Sequence, residues 1–462
     1  MDFGVERLFA IAAALVLVAS AATVVADPGG SDRTADALSF DAGVPAEYDF
    51  TVPETSRTAT VDGQQFDSVQ AAVEAAEPGA TVVLSGRFTE RVVVNTSGVT
   101  LTSAPGEFAV IDGRGEGDVL TLNRENATVR RVWVRNSGFD TEDNDAGIWV
   151  NSSSARIVDS RVTATTFGVW VDGVDDVTVR NNTIVGREEV TPLSYRGNGI
   201  QLWKTEETVV ADNRITDARD GIYYSWASEV LGRNNTMWDL RYGVHYMYSD
   251  DCRLAGNVAF DNDVGYALMT SENLEIVDNT AVNNTGSSGH GLLLKRIDRT
   301  TVRNNSLVGN GNGLFVYNSV ENTLAGNLVL DNDVGVHLSA GSVRQQVVDN
   351  SFVANRQSVH AVVSHQLAWN ATDRGNYWSD AQVVDSDRDG VSEVRYRPAG
   401  LAEHLVRTHP QAAVFARSPA FDAVRFAESS VPIIESPGVI DHHPLADSPH
   451  DWRHYYGRNR SS

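Results

Sequence analysis

The middle of the chain repeats about every 22 residues, and that period sets most of what it can fold into. A glycine followed by an apolar residue recurs at Gly147, Gly168, Gly199, Gly221, Gly243, Gly265, Gly291, Gly313 and Gly335, with spacings of 21, 31, 22, 22, 22, 26, 22 and 22. Fourteen residues after seven of these glycines stands an asparagine: Asn182, Asn213, Asn235, Asn257, Asn279, Asn305 and Asn327. Such a unit is too short for a pair of helices. Its alternating apolar runs are broken by Gly, Asn and Asp, which is strand and turn chemistry. A second run such as Val177-Thr178-Val179 or Leu274-Glu275-Ile276-Val277 supplies another strand per unit. The period predicts an all-β fold, a right-handed parallel β-helix solenoid with one coil per unit. Nine anchored coils at one strand spacing each give a rod of roughly 40 Å. The repeating Asn is expected to ladder at a turn, where its side chain bonds nearby backbone.

The flanks read differently. Residues 66–76 place Phe66, Val69 and Val73 at helical spacing and predict a helix capping the N-terminal end. Residues 81–84, 92–94 and 99–102 read as first-coil strands, and residues 359–363 as the last alternating run. Insertions near residues 186–195 and 283–288 stretch the period and are expected to bulge outward. Residues 375–398 read as a break in the repeat, opening a mixed C-terminal segment with helical patches over 401–426. The expected organisation is 1–26 signal peptide or anchor, 27–55 linker, 56–372 parallel β-helix, 373–446 C-terminal segment and 447–462 tail.

Export follows from residues 8–25, an unbroken run of apolar and small residues ending in Ala19-Ser20-Ala21 and Val24-Val25-Ala26. That run fits a cleaved signal peptide or an N-terminal anchor, and either leaves the rest outside the cytoplasmic membrane. The formal charge of −24 opposes binding to nucleic acid or anionic lipid. Lys204 and Lys295 are the only lysines among 37 basic residues, and 61 are acidic. That balance suits a surface kept soluble in high salt, a halophile's signature. The single cysteine, Cys252, excludes an intrachain disulfide and any site built from several cysteines.

Alternation decides what the coils expose. The first and third residues after each anchor glycine are mostly aliphatic and point into the core. The second and fourth then point out. The second column reads Trp149, Trp170, Gln201, Tyr223, His245, Ala267, Leu293, Phe315 and His337. The fourth includes Trp203, Met247, Met269, Lys295 and Tyr317. The aromatic groove residues Trp149, Trp170, Trp203, Tyr223, Phe315 and Tyr317 form either a binding surface or a face covered by another part of the chain. Apart from Met1, the methionines are Met237, Met247 and Met269. His245 shares a strand and a face with Met247, and Met269 follows Met247 in its column. Thioether plus imidazole is a soft donor set suited to Cu(I). Methionines filling a groove would look the same.

After the repeat, Asp385-Ser386-Asp387-Arg388-Asp389-Gly390 places carboxylates at loop positions 1, 3 and 5 with Gly at 6, a calcium-loop pattern. Position 12 is Tyr396, so Glu393 at position 9 is the expected partial substitute for the missing glutamate. His442-His443 before Pro444 is either a ligand pair or an ordinary loop. A rival reading is a polysaccharide-binding or polysaccharide-cleaving β-helix. It rests on the aromatic face and on Asp250-Asp251 with Gly289-His290-Gly291, which faintly match the acid–base elements of polygalacturonases. The further Asn-Thr-Asp and Arg-Ile-Lys elements of those enzymes are missing from this sequence.

Two segments resemble the central signature of the NosD family: Arg241-Tyr242-Gly243-Val244-His245-Tyr246-Met247-Tyr248-Ser249-Asp250-Asp251 and Asp263-Val264-Gly265-Tyr266-Ala267-Leu268-Met269. In the same order follow His290-Gly291-Leu292-Leu293, residues 335–342, Gly375-Asn376-Tyr377-Trp378-Ser379-Asp380, the Asp385 loop, Tyr396-Arg397-Pro398 and residues 438–445. The resemblance spans roughly residues 60–446. It implies a non-enzymatic, exported accessory protein for maturation of nitrous oxide reductase. It also implies partners: the permease and ATPase of a membrane ABC transporter, a copper chaperone lipoprotein and the reductase itself. It strengthens copper at His245, Met247 and Met269, with His337 and His290 as weaker candidates. The acidic, lysine-poor surface and the ambiguous N-terminal run depart from the family pattern.

Overall fold

In the computed structural model each repeat unit is one turn of a right-handed parallel β-helix, and each turn gives one strand to each of three long sheets. The residues described are 38–45, 48, 50–54, 56–399, 405, 410–415, 418–421, 423, 424 and 437–456. Sheets A, B and C contain 14, 13 and 12 strands. One turn runs Asp220–Ser225 in sheet C, Leu231–Arg233 in sheet A, Thr236–Trp238 in sheet B, then Tyr242–Met247 back in sheet C. The rod is longer than the nine anchored coils: twelve sheet C strands span roughly 55 Å.

Inward positions of all three sheets are aliphatic and fully buried: Ile148, Ile222 and Val244 from C, Val179 and Val210 from A, Ile184 and Ile215 from B. Each such side chain contributes about 1.5–3 kcal/mol on leaving water. The anchor glycines have a steric cause. A Cβ on Gly243 would lie 2.6 Å from the carbonyl oxygen of Gly265 on the next rung. The same clash, at 2.3–2.9 Å, repeats along the column from Gly147 to Gly335. Backbones of successive turns approach too closely there for any side chain.

The asparagines ladder as expected, and they are buried. Asn257 Oδ1 accepts from the backbone N and the Nδ2 of Asn235, while Asn257 Nδ2 donates to Asn279 Oδ1 and to the Gly232 carbonyl. The ladder runs from Asn182 to Asn376. The residue before each ladder asparagine from Asn182 to Asn350 turns left-handed, as at Asn234, Gly256, Asp278 and Asn304. Asn, Asp and Gly tolerate that conformation, which explains the composition of the turns. A second ladder at the turn from sheet B to sheet C was not read from the sequence. It joins Asn262, Asn284, Asn310, Asn332 and Asn355.

Three expectations need correction. The capping helix is shorter than residues 66–76. It runs Val69–Ala75 with Ser68 as N-cap, and Phe66 ends a strand, Gln64–Phe66, in an antiparallel hairpin with Thr58–Val61. Residues 375–398 do not all leave the repeat. Tyr377–Trp378 pairs with Ser351–Val353 as the last rung of sheet B, and Asn376 ends the ladder. Residues 27–55 are not only a linker. Phe40 packs on Phe260, Tyr48 on Trp238 and Phe50 on Trp133, so these described residues form a strap over the outer face of sheet B. Ser39 N donates to the carbonyl of Tyr455, tying the strap to the C-terminal 3-10 helix Arg453–Tyr456. Aromatic side chains within a polar segment drive this docking, because each buries a large apolar area.

The C-terminal segment adds a three-stranded sheet from Gln366–Ala368, Gly438–Asp441 and Tyr396–Ala399. The export segment, residues 8–25, lies outside the described residues. Most of 401–426 does too, apart from pieces such as the 3-10 helix Pro410–Phe415.

Candidate functional site

The outer face of sheet C carries the expected columns in register. Tyr223, His245, Ala267, Leu293, Phe315, His337 and His360 follow one another from rung to rung. Met247 pairs directly with Met269. His245, Met247 and Met269 therefore meet at one place on one face. Met237, the third internal methionine, is elsewhere, fully buried in the core.

His245 is held by a group the sequence reading missed. Its Nδ1 lies 3.0 Å from Oδ2 of Asp220, a fully buried carboxylate on the preceding rung. Arg241 grips the same carboxylate with both edges of its fork, Nε to Oδ1 at 2.8 Å and Nη2 to Oδ2 at 2.6 Å. Burial alone raises the pKa of a carboxyl. Here the hydrogen bonds from His245 and Arg241 outweigh burial and hold Asp220 below its ordinary value. An ionised carboxylate only accepts, so His245 donates from Nδ1, and in the neutral ring the lone pair is on Nε2, where a ligand would bind. The ring orientation is fixed by two aromatics. Tyr223 stacks on it at 4.3 Å and Tyr242 meets it edge-on at 5.0 Å.

The surroundings are apolar. Val264, Ala267 and Leu293 form a small cluster outside the rod, with Tyr242, Met269 and Phe315 packed against it. The outward residues are thus half-covered by one another rather than freely exposed. The groove aromatics stack in pairs: Trp149 on Trp170 at 5.2 Å, while Trp203 lies beneath the Lys204 ammonium at 5.2 Å. Tyr317 continues the fourth column beside Lys295. A further pair, Trp226 on Tyr248 at 4.5 Å, sits at the rim beside Met247, 54% and 42% exposed. Both residues are left-handed turn positions following a strand, so strand alternation does not flag them.

The expected ligands do not form one set. His337 stands four rungs from His245 along the register, roughly 19 Å away. His290 stacks on Phe315 at 4.8 Å, and burial lowers its pKa to about 4. Cys252 is buried, its thiol facing the Asp250 carbonyl at 3.1 Å, and burial pushes its pKa up to about 12. It stays a protonated thiol in the core, away from the outer face.

The polygalacturonase-like elements are not assembled. Asp250 lies in the turn from sheet C to sheet A, where its carboxylate accepts from the Glu272 backbone N–H at 2.8 Å. His290 opens a sheet C strand, at the opposite edge. In the C-terminal loop, Asp385, Asp387 and Asp389 bring carboxylate oxygens within 4.8 Å of one another. Glu393 is not in that cluster; it accepts from the Ser386 N–H at 2.9 Å, and this bond lowers its pKa. His442 and His443 have ring centroids 6.4 Å apart.

The chain is similar to known proteins over most of its length. Residues 187–383 match the family described as periplasmic copper-binding protein (NosD). The chain is 40% identical over 357 residues to the probable ABC transporter binding protein NosD of Pseudomonas aeruginosa, covering 74% of this chain and 82% of that protein. The Stutzerimonas stutzeri protein of the same description is 36% identical over 358 residues, covering 74% and 81%. Among solved structures, DFA-IIIase from Arthrobacter chlorophenolicus with bound DFA-III aligns at a TM-score of 0.48 and 14% identity, over 63% of this chain and 92% of that one.

Proposed function

The chain belongs to the NosD family, and on that premise we propose that it is an exported, non-enzymatic accessory protein that handles Cu(I) on the outer face of sheet C during maturation of nitrous oxide reductase. One observation carries the proposal. His245 is locked by buried Asp220 with its Nε2 free, beside two thioethers in register, Met247 and Met269. Imidazole plus thioether is a soft set that favours Cu(I) over hard cations, and Val264, Ala267 and Leu293 set an apolar surface against Met269. The family description names copper, and the P. aeruginosa and S. stutzeri relatives carry the description probable ABC transporter binding protein. We extend that association to this chain: copper arrives from a chaperone lipoprotein, is held in the groove, and passes to the reductase with the transporter as membrane partner.

The test is an anaerobic Cu(I) titration of the full chain in high salt against a competing chelator. The full chain is needed because Phe40 and Phe50 pack against the rod. Tight binding in the wild type, lost when His245, Met247 and Met269 are all Ala, is the expected result. Equal binding by both proteins, or none by the wild type, would remove copper handling from this face. The polysaccharide reading rests on the Trp149–Trp170 stack, a surface that suits a sugar ring. Release of reducing ends from acidic polysaccharide, lost in His290→Ala, would favour it.

A further inference from the structure

We propose that His337 and His360 form a second metal station on the same outer face, taking a borderline divalent ion of the Zn(II) class. They occupy equivalent positions on neighbouring rungs, His337 opposite His360. Their rings meet edge to face with centroids 4.6 Å apart. Two imidazoles held in adjacent strands form a chelating pair, and imidazole suits Zn(II) and its neighbours in the divalent series.

Two further features support a ligand here. The ring nitrogens of His337 take no hydrogen bond among the described residues, and both histidines are only half-buried. Phe315 packs edge-on against His337 at 4.5 Å, fixing the ring from the other side.

The station differs from the thioether site in place and chemistry. Four rungs separate His337 from His245. All three methionines beyond Met1 lie at or before position 269, so no sulfur donor reaches the histidine pair from its own or adjacent rungs. Among the described residues the pair is not joined by a third His, Cys, Asp or Glu at ligand distance.

The inference stands apart from the Cu(I) reading, because it depends on different residues and a different ion. Zn(II) is titrated into the metal-free full chain in the presence of a chromophoric chelator. The wild type, the double variant His337→Ala/His360→Ala, the single variant His360→Gln and the triple variant of His245, Met247 and Met269 are compared. Asp387→Asn is placed in every background to silence the acidic C-terminal loop. Circular dichroism establishes that each variant is folded. The expected result is one Zn(II) bound by the wild type and by the triple variant, affinity at least about tenfold weaker in His360→Gln, and no binding in the double-histidine variant. Zn(II) binding unchanged in the double variant, or absent from the wild type, overturns the proposal.

Discussion

Nδ1 of His245 lies 3.0 Å from a carboxylate oxygen of Asp220, which belongs to the preceding rung and has no exposure to solvent. This contact sets the tautomer of the one imidazole that sits beside two thioethers. Asp220→Asn replaces an obligate acceptor with a group that also donates, so the Nδ1 proton is no longer enforced. Cu(I) affinity is expected to fall about 10–100-fold. Nitrogen NMR of His245 should change from a single Nδ1–H form to a mixture. A merely structural role for Asp220 would lower the melting temperature and leave the tautomer as it is.

The buried ladders make asparagine at the turns a core residue. Asn257→Ala removes the acceptor for two donors of Asn235 and strands both between rungs. A buried donor left unpaired costs about 1–3 kcal/mol, so the total expected loss is about 3 kcal/mol or more. Asn234→Gly keeps a residue that tolerates the left-handed turn, breaks one exposed bond, to Asp212, and is expected to cost under about 1 kcal/mol. Denaturant unfolding of the two variants side by side checks the contrast.

The solenoid was legible because one period writes both the core and the turns. Glycine, asparagine and inward aliphatics recur in step, and each has one physical reason to do so. The pairing of Met247 with Met269 followed from the same register. Asp220 was not legible. It stands just before an anchor glycine and reaches diagonally to His245 on the next rung, a relation that column-by-column reading does not search. The second ladder also keeps a fixed offset, with Asn262, Asn284, Asn310 and Asn332 each 19 residues after an anchor glycine, but it is absent from the earlier coils, where Thr166, Arg187, Ala218 and Leu240 hold that position. The strap escaped because Phe40, Tyr48 and Phe50 are scattered singly through a polar stretch, with no period to mark them.

The anchor glycines predict a steep response to a single methyl group. A Cβ on Gly243 meets the Gly265 carbonyl oxygen at 2.6 Å and the Ala259 Cβ at 2.9 Å. Neither partner is the flexible end of a long side chain. Gly243→Ala must push two rungs apart, and overpacking of this kind costs about 1–3 kcal/mol. A lower denaturation midpoint with an unchanged slope would report that strain. A midpoint equal to the wild type would show that the rungs separate freely.

Acid should unfold the N-terminal turns through Asp112. This buried residue accepts from Arg87 Nη2 at 2.6 Å, Asn136 Nδ2 at 2.9 Å and the Arg114 backbone N–H at 3.1 Å. Burial would raise its pKa, but these bonds and the Arg87 charge prevail and hold it below 3.8. With the folded pKa depressed, the unfolded chain binds the proton more readily in the window between the two values. The stabilisation is therefore complete above the unfolded pKa and is lost as pH falls through the folded one. Unfolding free energy is expected to drop between about pH 5 and pH 2 in the wild type, and less steeply in Asp112→Asn, whose amide does not titrate. Parallel slopes for the two proteins would mean that Asp112 is not the carboxylate responsible.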